Sequence, residues 1–161
     1  MKNSSQNNNK YGDFISERKR ARSLFNLVSI IYPVIEWNLF PAYKKTIKQL
    51  DLPTELTVLD IATGSGILAA AFAGQGHKVS GFDFSEKLLK KGKKKFPEIS
   101  FKKFDLYDLH QISSNSFDIV SAGYFLHGLS PKFRLLFLLQ KFPDVGKEVF
   151  DVFVPVVATL F

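Results

Sequence analysis

Val58-Leu59-Asp60-Ile61-Ala62-Thr63-Gly64-Ser65-Gly66 is the stretch that decides the fold of this chain. A short apolar run from Thr57 to Ala62 carries an acidic residue, and glycines follow that Asp60 four and six positions later. The run has strand character, and the glycines mark a tight turn in which no Cβ stands between backbone and ligand. Ile67 to Ala73 continues as a small apolar helix that Gly74-Gln75-Gly76 ends. The turn therefore opens onto a helix N-terminus, whose free N–H groups favour a carboxylate or a phosphate. Asp60 is placed either to accept hydrogen bonds from a cationic group or to position the turn.

Working outward, the same alternation repeats. Lys78 to Asp83 reads as a second strand, Ser85 caps a helix through about Phe96, and Ser100 to Asp105 and Phe117 to Ala122 read as third and fourth strands. Leu88, Gly92 and Phe96 share one face of the intervening helix. Strands alternating with helices imply right-handed crossovers, hence an α/β, doubly wound, mostly parallel sheet covered on both faces. Upstream, Asp13 to Leu50 reads as helical, with Pro33 interrupting it and Pro41 as the first residue of a further helix. Asp51-Leu52-Pro53-Thr54 breaks the chain before the sheet begins. The expected organisation is a disordered tail over 1–12, a helical lead over 13–50 and a ligand-binding domain over 51–161.

Asp83 follows Gly66 by seventeen residues and ends the second strand. Doubly wound folds place an acidic residue there to hydrogen-bond a ribose diol, and Asp105 ends the third strand in the same manner. Three acidic strand ends would line one crevice edge. Gly64-Ser65-Gly66-Ile67-Leu68-Ala69 also satisfies the G-x-G-x-x-A fingerprint of a dinucleotide fold. A carboxylate just before the turn would repel a pyrophosphate, which argues against NAD.

VLDIATGSG, VSGFDFSEKLL, FKKFDLYDL and SFDIVSAGYFLHGLS, in that order, resemble the successive signature motifs of class I (Rossmann-like) S-adenosylmethionine (SAM)-dependent methyltransferases. The helical lead, with Leu24 to Leu27 and Ile31 to Trp37, is similar to that of quinone-biosynthesis (UbiE-like) and other small-molecule methyltransferases. The resemblance implies SAM as cofactor. It implies that Asp60, Ala62, Thr63, Gly64 and Gly66 surround the methionine part, that Asp83 holds the ribose with Phe84 against the adenine, and that Asp105 meets the adenine amino group with Leu106 on the ring. Ala122 and Tyr124 would lie near the methyl-donor end, with Tyr32 reaching over from the lead helices. His127 is the one histidine at the expected rim and the candidate general base, although methyl transfer often needs only positioning.

Composition sets the remaining bounds. Lys+Arg 22 against Asp+Glu 15 gives a net charge of +7, which favours contact with phosphate, a nucleic acid included, or with acidic lipid. Lys87, Lys90, Lys91, Lys93, Lys94 and Lys95, however, fit the solvated face of the helix packed by Leu88, Gly92 and Phe96, and no stacking aromatics are interleaved with them. Zero cysteines exclude disulfides, thiolate metal sites and a Cys nucleophile. The polar start lacks a secretory signal, and Leu135–Leu139 and Val152–Phe161 fall short of the roughly 20 residues that span a bilayer, so a cytoplasmic protein is expected. His77 is read as a surface residue, Asp108 as a solvated loop charge and Asp118 as structural.

The expected function is methyl transfer to a small-molecule oxygen, nitrogen or carbon. No Asn-Pro-Pro-Tyr-type motif follows the fourth strand, where the chain reads Ala122-Gly123-Tyr124-Phe125. The alternative is a SAM-binding module or truncated fragment without turnover, because after Ser130 Pro131 to Lys141 can supply a helix and Val149 to Phe161 at most one more strand, short of the last strands of the resembled family. An RNA methyltransferase is a weaker reading that rests on the charge. A sheet cut after its fourth or fifth strand leaves an apolar face, so homodimerisation or aggregation through Phe133 to Phe161 is expected, with little turnover.

Overall fold

Leu39, Tyr43 and Ile47 recur every four residues and are all buried, the apolar stripe of a helix laid on a core. The computed structural model describes residues 23, 32–105, 112 and 116–123, and in it Tyr32–Gln49 forms one helix, α1. Here the sequence expectation is corrected at Pro41. Pro33 falls in the first turn, where a missing N–H costs nothing, and Pro41 lies inside the helix rather than starting a new one. An interior proline costs about 3 kcal/mol. Burying Leu39, Tyr43 and Ile47 gains roughly 1.5–3 kcal/mol for each large apolar side chain, which outweighs it. The helix ends where expected: the Leu50 amide donates to the Ile47 carbonyl at 3.2 Å, and Asp51 turns left-handed at φ 47°.

β1 (Thr57–Ile61) is buried from Val58 onward, without the alternation of a half-wet strand. Such a run suits a central parallel strand. β1 pairs in parallel with β2 (Lys78–Asp83) on one side and β4 (Ile119–Ser121) on the other, and β3 (Ser100–Lys103) pairs with β2. The sheet order is β3-β2-β1-β4. α2 (Ile67–Ala73) joins β1 to β2 and α3 (Glu86–Lys95) joins β2 to β3; right-handed crossovers put both on one face. α1 packs against α2.

Two strand bounds differ from the sequence reading. β3 stops at Lys103 instead of Asp105, because its partner β2 stops at Asp83 and no ladder remains beyond that pair. β4 covers Ile119–Ser121 rather than Phe117 to Ala122, matching the three β1 residues it pairs with. Asp118 ties the amino end of the same pair: its Oδ2 accepts from both the amide and the hydroxyl of Thr57 at 2.7 Å, a structural duty as expected.

His77 is a further correction. It is 7% exposed, lies edge-on to Phe72 with centroids 6.0 Å apart, and its Nδ1 has no hydrogen-bond partner among the described residues. The glycine turn after α2 folds the ring back under Phe72, and burial lowers its pKa. The α3 lysines are exposed while Leu88, Leu89 and Gly92 are buried, as the helical pattern required. Among the described residues no helix is long and apolar enough to cross a membrane. The expected tail, Leu106, Asp108, Tyr124, His127 and the segment from Phe133 to Phe161 lie outside the described residues.

Candidate functional site

The order β3-β2-β1-β4 means the chain steps outward from β1 through β2 to β3, then crosses back to the other side of β1. That reversal makes β1/β4 a topological switch point, where open α/β sheets bind ligands at the carboxyl ends of their strands. The register sets Asp60 of β1 opposite Gly81 of β2 and Ser121 of β4. The residues singled out in the sequence gather along this edge. Asp60 and Asp83 stand on it, Ala62 to Gly66 form the turn beyond β1, and Phe84, Asp105 and Ala122 follow β2, β3 and β4. Asp105, Phe84 and Ala122 are half-buried. Tyr32 contributes its backbone to the first turn of α1.

In the turn after β1 every second residue is left-handed: Ala62 at φ 54°, Gly64 at φ 58° and Gly66 at φ 86°. Glycine accepts this at two of the three positions, whereas Ala62 holds a conformation that L side chains rarely adopt. Tertiary bonds hold the turn. The Thr63 amide donates to the Phe82 carbonyl at 3.0 Å, and the Gly64 amide donates to Asp83 Oδ2 at 2.9 Å. The Gly66 amide then closes back on the Thr63 carbonyl at 2.8 Å and α2 begins.

Gly66 serves a purpose the sequence reading did not give it. A Cβ there would stand 2.5 Å from the Phe101 ring, and one at Gly92 of α3 would stand 2.8 Å from the same ring. The missing side chain of Gly66 thus makes room for a core aromatic that props the turn.

Two buried carboxyls organise the edge. Asp60, 1% exposed, accepts from the Thr63 hydroxyl at 2.6 Å and from the Ser121 hydroxyl at 2.8 Å, so it positions the turn and bridges the switch point. Burial pushes its pKa up to about 7, against the pull of those two hydroxyls and with a smaller push from Asp83. Asp83, 0% exposed, accepts from the Gly64 amide through Oδ2 and from the Ser85 amide through Oδ1 at 2.7 Å. Burial raises its pKa too, opposed by the amides of Ser85, Gly64 and Phe84. The Ser85 cap therefore does not make Asp83 redundant at the start of α3: the Ser85 hydroxyl accepts from the Leu88 amide at 3.4 Å, a long bond.

Ser121 and Phe101 were not singled out in the sequence. A small polar residue closing the apolar run Ile119-Val120-Ser121 was the available signal for the first. Phe101 had none beyond being apolar.

The family described as "Methyltransferase domain" matches residues 58–142, from the second residue of β1 past the end of β4. The chain belongs to this methyltransferase-domain family. Demethylmenaquinone methyltransferase of Chlorobaculum tepidum is 35% identical over 118 residues, covering 66% of this chain and 48% of that enzyme. That of Bacillus mycoides is 27% identical over 146 residues, covering 83% and 62%. The chain thus spans about half to three-fifths of the length of these curated relatives. Among solved structures, an S-adenosylmethionine-dependent methyltransferase from Mesorhizobium loti is 25% identical, with TM-score 0.51, over 66% of this chain and 48% of that one. Phosphoethanolamine N-methyltransferase 1 of Haemonchus contortus, at 23% identity and TM-score 0.64 over 76% of this chain and 28% of that enzyme, shares the fold.

Proposed function

We propose that the chain binds SAM along the carboxyl edge of β1, β2 and β4 and directs its methyl group to a small, quinone-like acceptor. The observation that carries this reading is the buried turn of alternating left-handed residues, tied to Asp83 and Asp60 at the switch point of a methyltransferase domain. Such a turn presents backbone rather than side chains to a ligand. The acceptor class is supported by the demethylmenaquinone methyltransferases among the relatives.

In this reading the sulfonium supplies an electrophilic methyl group, taken in line by the acceptor nucleophile while the sulfur leaves as a thioether. The residues of the chain bind and orient. Ala62 to Gly66 receive the methionine part, and Asp83 accepts the ribose hydroxyls through lone pairs that its two amide bonds leave over. Phe84 and Asp105 would flank the adenine, and the family resemblance assigns Leu106 to the same ring and Tyr32 and Ala122 to the methyl-donor end. Catalysis then comes mainly from aligning nucleophile and methyl group away from water. His127 is the candidate base where the acceptor needs one.

Calorimetric titration of the purified chain tests the binding. S-adenosylhomocysteine is expected to bind in the micromolar range, about −8 kcal/mol, and NAD to give no heat. Equal affinity for NAD would overturn the assignment. A radiolabelled methyl-transfer assay with a demethylated naphthoquinone tests the acceptor, and binding without transfer selects the non-catalytic module.

A further inference from the structure

Lys87, Lys90, Lys91, Lys94 and Lys95 lie at spacings of three, four, seven and eight residues, so they share one side of α3. All five are exposed, and the opposite side, Leu88, Leu89 and Gly92, is buried. The five ammonium groups occupy a strip only about 12 Å long. Like charges so spaced repel and weaken a helix. Little on α3 neutralises them: its one acidic residue, Glu86, is paired with Lys103 of β3 and only weakly attracts Lys90.

The strip continues onto a second helix. Phe96, after the end of α3, packs against Phe40 of α1 with ring centroids 6.0 Å apart. Lys95 Nζ stands 5.1 Å from the Phe96 centroid and Lys44 Nζ 5.6 Å from that of Phe40. Lys45 and Lys48 are also exposed on α1, and no acidic residue occurs from Leu39 to Gln49. A cationic surface built on a half-buried aromatic pair therefore spans two elements.

We propose that this surface docks on an anionic lipid bilayer. Clustered lysines on an amphipathic helix are attracted to anionic headgroups, and aromatic side chains beneath flexible ammonium stems suit the headgroup level. Single-stranded nucleic acid would need open ring faces for base stacking. Here both rings already carry an ammonium group of their own.

The test uses the full chain and no methyl donor, so its outcome is independent of the proposed catalytic reading. Co-sedimentation with phosphatidylcholine–phosphatidylglycerol vesicles is expected, with none on phosphatidylcholine alone and release in about 1 M salt, which screens charges beyond about 3 Å. The triple variant Lys90→Glu, Lys91→Glu, Lys94→Glu is expected to weaken partitioning about 100-fold or more. Lys78→Glu, at the amino end of β2, is expected to change it no more than about twofold. Circular dichroism checks that the triple variant folds, and Lys90→Gln, Lys91→Gln, Lys94→Gln replaces it if it does not. Undiminished vesicle binding by the folded triple variant would overturn the proposal. So would tighter binding of single-stranded RNA than of anionic vesicles at the same salt.

Discussion

Asp60 and Asp83 stand at the ends of adjacent strands, both buried, and yet they are held in opposite ways. Asp60 is held mainly by two side-chain hydroxyls, from Thr63 three residues on and from Ser121 across the sheet, with a smaller contribution from the Ala69 backbone. Asp83 is satisfied by backbone amides, of Gly64 in the turn and Ser85 ahead of α3. A hydroxyl can rotate and donate or accept, so the Asp60 site tolerates either charge state of the carboxyl. An amide only donates, so the Asp83 site demands an acceptor at all times. One carboxyl is an adjustable joint; the other is a fixed staple that shapes the turn.

The largest expected effect tests the staple. Asp83→Ala strands the buried amide of Gly64, at roughly 1–3 kcal/mol, and removes the partner of the part-buried Ser85 amide, at about 1 kcal/mol. A loss of about 2–4 kcal/mol in urea unfolding is expected, together with weaker binding of S-adenosylhomocysteine. If stability is unchanged and only ligand affinity falls, the staple role is wrong and Asp83 acts on ligand alone.

A second effect tests the joint through pH. Asp60 carries a pKa of about 7 when folded against 3.8 otherwise, so the folded chain holds its proton more firmly. The native state then binds more protons than the unfolded one between these values, and stability falls as pH rises through that window. The contribution is complete below about pH 4 and is lost toward pH 7, at most about 4 kcal/mol. Lowering of the His77 pKa by burial works the other way, removing stability as the pH falls below 6.5. The difference between the parent and Asp60→Asn isolates the carboxyl. Parallel stability–pH curves for the two proteins would break the comparison.

The smallest effect sharpens it. Ser121→Ala removes one of the two donors on Asp60. It is expected to cost about 1 kcal/mol at pH 5, where the carboxyl is protonated, and roughly 2 kcal/mol at pH 8, where it is charged. An equal loss at both pH values would show that Ser121 serves packing rather than the carboxyl.

How much of this was legible in the sequence depended on distance along the chain. The turn after β1, the strand-ending Asp83 and the lysine side of α3 are local patterns, and the structure places them as read. Ser121 is sixty-one residues from Asp60, and only the β1–β4 register brings them together. The break expected at Pro41 followed its local cost and missed the burial of Tyr43 and Ile47 just beyond it. His77 looked like a turn residue because nothing local shows that Phe72 covers it. At the site, the acidic strand ends were visible as ligand candidates, but the internal bonds that occupy Asp83 were not. Tyr124, Leu106 and His127 fall outside the described residues, so only sequence resemblance speaks for them.

The Phe101 ring, gripped between Gly66 and Gly92, has a consequence for how such a chain can change over time. Three positions on three separate elements share one fixed volume, and none of them can grow by itself. A methyl group at Gly92 would meet the Ser65 carbonyl at 2.9 Å as well as the ring, and at Gly66 the left-handed φ of 86° would strain any side chain even with the ring gone. A smaller residue at position 101 leaves a void that neither glycine can fill without that cost. A change at 101 therefore rescues neither glycine, and the geometry of the turn and the spacing of α3 from the sheet are held fixed together.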